Sequence, residues 1–228
     1  MPAETQTASN TADFYDEEYY QGQYGAVIND ELNYRLLSLY WRELLFVRNQ
    51  LNPDGKVLDF GSGVGQVSAA LPNSVCIDFN PFALAELRKR GRALIDNRKN
   101  IPPSEFDCVL SSHSLEHSPS PFQDLQDFRG FLRPGGRLVL VLPIEVPGKP
   151  TLRGDWNQHL QAWTFQTITN LLLAAGWTPE IQRTIYSPYL LRTLGRRVSA
   201  EVAVQYAMLF GRLTRSTPCM LTVARPAS

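Results

Sequence analysis

Apolar and polar residues follow one another along this chain in blocks that predict strands and helices in turn. Four runs are continuously apolar or nearly so, namely VLDF, VCID, CVLS and LVLVLP. Such runs are typical of parallel strands that are covered on both faces. Segments with apolar residues at helical spacing lie among them. The alternation predicts an α/β fold with a doubly wound, mostly parallel sheet and helices on both faces.

The predicted elements extend over most of the chain. Strands are expected at 56–60, 74–78, 93–95, 106–111, 137–142, 181–186 and 219–224. Helices are expected at 30–48, 66–71, 81–90, 122–132, 165–175 and 189–213, the last with a break at Gly195. Asn80-Pro81 supplies a cap and a first-turn proline, and Gly176 ends a helix. Residues 1–13 are predicted to be disordered.

Composition and charge narrow the class of protein. A length of 228 residues suits one domain, and 22 basic residues balance 22 acidic ones, so no nucleic acid partner is expected. Cys76, Cys108 and Cys219 all fall in predicted strands. An odd number of buried thiols indicates reduced cysteines and a cytoplasmic location. We expect no signal peptide, because the polar N-terminus lacks an apolar segment, and no apolar run is long enough to cross a bilayer.

The segment 57–65, VLDFGSGVG, joins a predicted buried strand to a glycine-rich turn. Glycine has no Cβ, so the backbone of such a turn can approach a ligand closely. The predicted helix at 66–71 would direct its free N–H groups toward that ligand. Gln66 occupies the third position of the dinucleotide fingerprint, which disfavours a nicotinamide oxidoreductase. We therefore expect a different nucleotide-like cofactor.

Five motifs in order resemble those of the class I S-adenosylmethionine-dependent methyltransferases, especially the ubiquinone-biosynthesis-type group (methyltransferase type 11/23-like). They are VLDFGSGVG (57–65), CIDFNP (76–81), FDCVLSSHSLEHSPSP (106–121), LRPGGRLVLVLP (132–143) and HLQAWTFQTITNLLLAAGW (159–177). The resemblance covers residues 56–186. It implies a seven-stranded Rossmann-like sheet with an antiparallel last strand, and S-adenosyl-L-methionine as methyl donor.

The resemblance also assigns residues to the cofactor. They are Asp59, Gly61, Ser62, Gly63, Asp78, Phe79, Asp96, Asn97 and Ser112. Asp59 would hold the amino group of the methionine moiety, and Asp78, at a strand end, would accept from both ribose hydroxyls. Phe79 would pack on the adenine, while Asp96 and Asn97 would lie near its amino group. The alternatives are structural: a turn cap for Asp59, and exposed loop or strand-end acids for Asp78 and Asp96.

The acceptor is predicted by elimination to be a small or lipid-like molecule that is methylated on oxygen or carbon. The chain lacks the D/N-P-P-Y/F/W motif of amino-directed nucleic-acid methyltransferases, and its only Pro-Cys pair enters the last strand. Transfer to oxygen or carbon needs a base, which suits histidine. The candidates are His113, His159 and His117, with packing roles as the alternative. Metal binding by His113 and His117 is disfavoured because a third ligand at useful spacing is missing.

The remaining segments leave more than one interpretation. Residues 1–25 are predicted to be a flexible segment, either a lid with Tyr15, Tyr19 and Tyr20 over the cofactor or a surface segment. Residues 26–228 would form one methyltransferase domain with a helical insertion at 187–215. Within it, 189–213 would cover the substrate, touch a membrane peripherally or pack on the domain. The alternative to an enzyme is a non-catalytic cofactor-binding or scaffold module.

Overall fold

A mixed seven-stranded sheet forms the centre of the protein. The computed structural model describes residues 17–145 and 157–227. The strands are β1 (Val57–Phe60), β2 (Ser74–Ile77), β3 (Ala93–Leu94), β4 (Phe106–Ser112), β5 (Leu132–Pro143), β6 (Trp177–Tyr186) and β7 (Pro218–Pro226). Their order is β3-β2-β1-β4-β5-β7-β6, and β7 runs antiparallel to both of its neighbours. The predicted fold class is confirmed.

The first two described helices precede β1, and the others connect the strands. They are α1 (Glu17–Ile28), α2 (Glu31–Trp41), α3 (Pro81–Lys89), α4 (Pro121–Phe131), α5 (Phe165–Ala174), α6 (Leu191–Gly195) and α7 (Ala200–Thr214). The predicted helix at 30–48 continues beyond α2 as a π turn over Arg42–Phe46 and a 3-10 turn over Val47–Asn49. Further 3-10 turns cover Arg98–Asn100 and Leu115–His117.

The central strands are buried on both faces. Successive residues of β1 join different apolar clusters: Val57 packs with Leu110, and Leu58 packs with Val109 and Leu140. All these side chains are fully buried. This double coverage explains why the strands read as continuous apolar runs instead of alternating ones.

The prediction of a helix at 66–71 is wrong. Residues 66–70 form turns, and the backbone N–H of Leu71 bonds to Ser68 three residues earlier. Pro72 disfavours helical geometry at Leu71. The Ser38 hydroxyl accepts the N–H of Ala70, and Ser74 donates to the carbonyls of Ser68 and Leu71. Side chains thus satisfy backbone groups that a helix would have paired internally.

The other predicted elements differ from the observed ones mainly in where they begin and end. β5 begins at Leu132 because this residue pairs with Phe106, and β6 begins at Trp177, which pairs with Pro226. The expected break near Gly195 separates α6 from α7, and Ser199 caps α7. All three cysteines are buried, free thiols in strands. Residues 1–13 and Tyr15 lie outside the described residues.

The strand order fixes where a ligand can bind. The chain passes from β1 to β2 and β3 on one side, then returns to place β4 on the other side of β1. Ligands of such sheets bind outside the carboxyl ends of the strands at this switch point. In the described ranges, no helix is long and apolar enough to cross a membrane.

Replacing Trp177 with phenylalanine tests the packing between α4 and β6. The Trp177 ring is fully buried, and its Nε1–H donates to the Leu125 carbonyl at 2.9 Å. Loss of this bond and of ring volume should lower the free energy of unfolding by about 2 kcal/mol. Urea unfolding measures the change. The exposed control Leu173→Ala should lie within about 0.5 kcal/mol of wild type, and an equal loss in both would contradict the packing role.

Candidate active site

A cavity of about 800 Å³ opens at the carboxyl ends of β1, β2 and β4. Its size lies within the range of small-molecule sites. Many of the predicted site residues line it, namely Asp59, Gly61, Ser62, Gly63, Asp78, Phe79, Ser112, His113 and His117. Further lining residues come from α1 and α4. The structure therefore brings most of the predicted site into one place.

The glycine turn after β1 forms one wall of the cavity. Gly61 and Gly63 have φ values of +71° and +53°, which favour glycine. A Cβ on Gly61 would lie 2.1 Å from the Ser114 hydroxyl oxygen, so no other residue fits there without movement. The N–H groups of Gly61 and Ser62 donate to the Ile77 carbonyl at 2.9 and 3.1 Å. The turn is thus fixed against the end of β2.

Asp59 is a buried acid beneath this turn. Its side chain is fully buried, and its Oδ2 has no hydrogen-bond partner among the described residues. Burial raises the pKa of Asp59 to about 6, although Ser68 and Arg92 lower it, and Asp78 raises it further. An ammonium group at the cavity would pair with this oxygen and favour the ionised form. The site therefore fits the amino group that the motif resemblance implies.

Asp78 holds two loops together at the cavity. Its Oδ2 accepts the N–H of Gly63 at 2.7 Å, and its Oδ1 accepts the N–H of Asn80 at 2.9 Å. Burial raises the pKa of Asp78, while these backbone hydrogen bonds lower it. Phe79 follows with 61% of its surface exposed, edge-on to Phe60. An acceptor for hydroxyls and an open aromatic face thus lie side by side.

Asp96 and Asn97 are not among the residues that line the cavity. Asp96 is exposed and pairs with Arg88 at 3.1 Å, whereas Asn97 caps the next 3-10 turn by accepting from Lys99. Their contact with an adenine stays a prediction. The structure instead places Arg98 at the cavity.

Sequence reasoning missed the ion-pair network around Arg98. Its guanidinium contacts Asp124 and lies 2.6 Å from Asp127, and its Cζ lies 5.2 Å from the centre of the Phe60 ring. These partners line the cavity together. The sign of this network in the sequence was the spacing of Asp124 and Asp127. Two acids three residues apart on the predicted helix at 122–132 lie beside one another on one helical face.

Aromatic residues of α1 cover another part of the cavity. Tyr19, Tyr20 and Tyr24 all line it, and Tyr20 stacks on Phe82 with ring centres 5.1 Å apart. Burial raises the pKa of Tyr24 well above its ordinary value. For Tyr19 and Tyr20 the sequence left a lid or a surface segment open, whereas Tyr24 was missed although it belongs to the same tyrosine-rich segment.

The end of β4 leads into a group of polar residues. Ser111 is fully buried, and its hydroxyl lacks a partner in the described ranges. His113 follows with φ of 51°. Its Nδ1 lies 3.5 Å from Glu116, and its Nε2 lies 3.5 Å from the Cys219 sulfur. Burial lowers the pKa of His113, but Cys219 and Glu116 outweigh it and raise that pKa to about 10.

All three histidines of the chain surround Glu116. The rings of His117 and His159 have centres 4.9 Å apart. Burial lowers the pKa of His117, although Glu116 raises it. His159 contacts Glu145 through Nδ1 and is not among the lining residues. Donor atoms of Glu116, His117 and His159 lie within 4.8 Å of one another. This group contains His117 but not His113, and it brings in His159 from a segment that is distant in the sequence.

The comparisons with known proteins agree with this geometry. A family model described as a methyltransferase domain matches residues 30–182. The ubiquinone/menaquinone biosynthesis C-methyltransferase of Wigglesworthia glossinidia brevipalpis is 27% identical over 137 residues, covering 50% of this chain and 53% of that protein. The demethylmenaquinone methyltransferase of Mycolicibacterium vanbaalenii is 28% identical over 181 residues, covering 75% and 66%. The chain thus spans roughly half to two thirds of the length of these relatives.

A solved structure gives the same fold. It is the 1,6-didemethyltoxoflavin-N1-methyltransferase of Burkholderia thailandensis, crystallised with 1,6-didemethyltoxoflavin and S-adenosylhomocysteine. It aligns with a TM-score of 0.59 at 18% identity and covers 100% of this chain and 94% of that one. At this identity the likeness concerns the fold alone.

Replacing Asp78 with alanine should weaken the binding of S-adenosylhomocysteine by about 10–150-fold, because a carboxylate that accepts hydroxyl hydrogen bonds is lost. Calorimetric titration measures the affinity. Asp54→Ala is the matched control, since the Asp54 side chain is exposed and lies outside the lining of this cavity, and it should bind within about twofold of wild type. Equal losses in both variants would contradict the placement of the ribose at Asp78.

Because Asp59 is buried, we expect the difference in unfolding free energy between wild type and Asp59→Asn to depend on pH. Because its pKa rises from 3.8 to about 6 on folding, the folded form should lose about 1.4 kcal/mol per pH unit across that window. Asp59→Asn removes the ionisable group and with it this loss. The unfolding free energy of the variant should therefore rise relative to that of the wild type by about 3 kcal/mol between about pH 4 and pH 7. Urea unfolding without ligand measures the difference. A difference that stays constant with pH would contradict the burial of an unpaired carboxylate.

Proposed function

The chain belongs to the methyltransferase-domain family, as a class I S-adenosylmethionine-dependent methyltransferase, and on this premise we propose that it methylates an oxygen or carbon atom of a small, lipid-like molecule. One observation carries the proposal. A single cavity joins the acids Asp59 and Asp78 at one part of its wall to His113 and His117 at another. Donor and acceptor would meet where these parts adjoin.

We assign the donor to the part formed by β1 and β2. Asp59 would pair with the amino group, Asp78 would accept from the ribose hydroxyls, and Phe79 would pack on the adenine. When bound, S-adenosylmethionine supplies a methyl group on a sulfonium that leaves without acid assistance. The chain has to align the acceptor and exclude water, which is worth about 7–11 kcal/mol in well-oriented reactions.

We assign the acceptor to the part formed by the turn after β4, with His117 as its base. His117 lines the cavity, whereas His159 does not, and both ring nitrogens of His113 already face Glu116 and Cys219. A base within reach of an acceptor hydroxyl contributes about 10²–10⁴-fold. Of the three predicted candidates, His117 has the best access to a bound acceptor.

Two observations favour a lipid-like acceptor. The relatives described above are named for quinone methylation. The helix α7 overlaps the segment 189–213, for which membrane contact was one of three interpretations, and it exposes Val202, Tyr206, Leu209 and Leu213. These apolar side chains would suit a long hydrocarbon tail or a membrane surface. The competing proposal is a non-catalytic module that binds the cofactor without turnover.

Formation of S-adenosylhomocysteine from S-adenosylmethionine tests the proposal. The acceptor panel contains demethylmenaquinol with and without its prenyl tail, together with simple phenols and carbon acids. We expect turnover that is faster with the tailed quinol. His117→Asn should lower kcat at least about 100-fold and leave S-adenosylhomocysteine affinity unchanged.

The control is His113→Asn, which should retain more activity than His117→Asn. Full turnover in His117→Asn would end the role of His117 as base. Tight cofactor binding without turnover on any acceptor of the panel would favour the non-catalytic module. Equal rates with and without the prenyl tail would argue against a lipid-like acceptor.

A further inference from the structure

Glu116 is a fully buried acid in the 3-10 turn after β4. Its side chain is 0% exposed, and neither Oε1 nor Oε2 has a hydrogen-bond partner in the part of the chain that the structure describes. The Nδ1 atom of His113 lies 3.5 Å from its Oε1. An ionised carboxylate in such a place is costly unless a charged partner or a metal ion satisfies it.

Two histidines present nitrogen atoms to this carboxylate. His117 is the next residue in the same 3-10 turn. His159 comes from a separate segment that is fixed here because the N–H groups of Leu160 and Gln161 both donate to the Glu116 carbonyl, at 2.9 and 3.0 Å. The three donor atoms lie within 4.8 Å of one another. Zinc with bonds of about 2.1 Å needs donors about 3.4 Å apart, so the three groups would have to draw together when an ion binds.

Each of the two histidines already has a partner for its ring. The ring of His117 hydrogen-bonds the backbone of Gln158, and His159 contacts Glu145 through Nδ1. Metal-binding histidines nearly always have their second nitrogen held by a backbone carbonyl or a carboxylate in this way. These contacts orient the two rings, as the outer partners of a metal-binding histidine do.

We propose that Glu116, His117 and His159 bind a divalent transition-metal ion, with zinc as the first candidate. Two imidazoles and one carboxylate suit zinc or iron, whereas magnesium and calcium prefer oxygen ligands. Three protein ligands leave a coordination position open. Because His117 lines the cavity, this position would face a bound acceptor.

The inference deepens the proposed function, on which it rests for its chemistry, by naming what removes the acceptor proton. An acceptor hydroxyl bound to the ion would become more acidic, as water does on zinc. Its O–H bond would break with release of the proton to solvent, and the oxygen would keep the electron pair for attack on the methyl carbon. His117 would then hold the ion instead of taking the proton itself.

Metal binding by the full chain tests this directly. After dialysis against a chelator, the protein is titrated with Co²⁺, followed by its visible absorption, and the Co²⁺ is then displaced with Zn²⁺. We expect one ion per chain. Glu116→Gln and His159→Asn should each weaken binding by at least about 100-fold, and Glu145→Gln by about 10-fold, as outer hydrogen-bond partners do.

The controls separate ligand loss from misfolding and from the proposed function. Each variant should keep the circular dichroism and S-adenosylhomocysteine affinity of the wild type. His113→Asn should bind Co²⁺ within a few-fold of wild type, and a loss equal to that of His159→Asn would overturn the three-residue ligand set.

Full turnover of the chelated protein with no Co²⁺ binding would overturn the metal site and leave His117 as base. Co²⁺ binding without turnover on any acceptor would support the metal site and count against the proposed function alone.

Discussion

The close approach of the turns after β1 and β4 is the constraint on which the site depends. Gly61 makes it possible, because a Cβ at this position would overlap the Ser114 side chain. The same turn bonds to the Ile77 carbonyl at the end of β2. Three strand ends are therefore held around one point. Asp59, Asp78 and the histidine-bearing turn owe their proximity to this contact, although they lie up to 58 residues apart, from Asp59 to His117.

The cavity joins two electrostatic environments. The part near β1 and β2 holds carboxylates whose pKa values burial raises, so it favours a ligand that brings a positive charge. The part after β4 holds the imidazoles, with Glu116 buried behind them. A cationic donor binds best near negative charge, whereas the acceptor needs a group that helps it lose a proton. One fold can provide both environments because they lie in different parts of the same cavity.

The sequence predicted what local patterns determine. The apolar runs gave the buried strands, and the ordered motifs gave the family and the ends of β1, β2 and β4. The prediction of a helix at 66–71 failed because Ser38, Pro72 and Ser74 decide that segment, and all three lie outside it. The approach of His159 to Glu116 was not predictable, since it depends on a contact between distant segments. For the Arg98 network, the spacing of Asp124 and Asp127 was the local sign in the sequence. Asp96 and Asn97 lie outside the cavity lining, and their contact with an adenine stays a prediction.

The buried carboxylate of Asp59 has a consequence for the life of the protein in a cell. A chain without ligand carries a charge that its own described residues leave partly unsatisfied. Any ligand that pairs with this charge binds the folded form alone and shifts the folding equilibrium toward it. Quality control removes unfolded chains, so a difference of about 1–2 kcal/mol can change abundance several-fold. The amount of this protein would then follow the supply of its methyl donor.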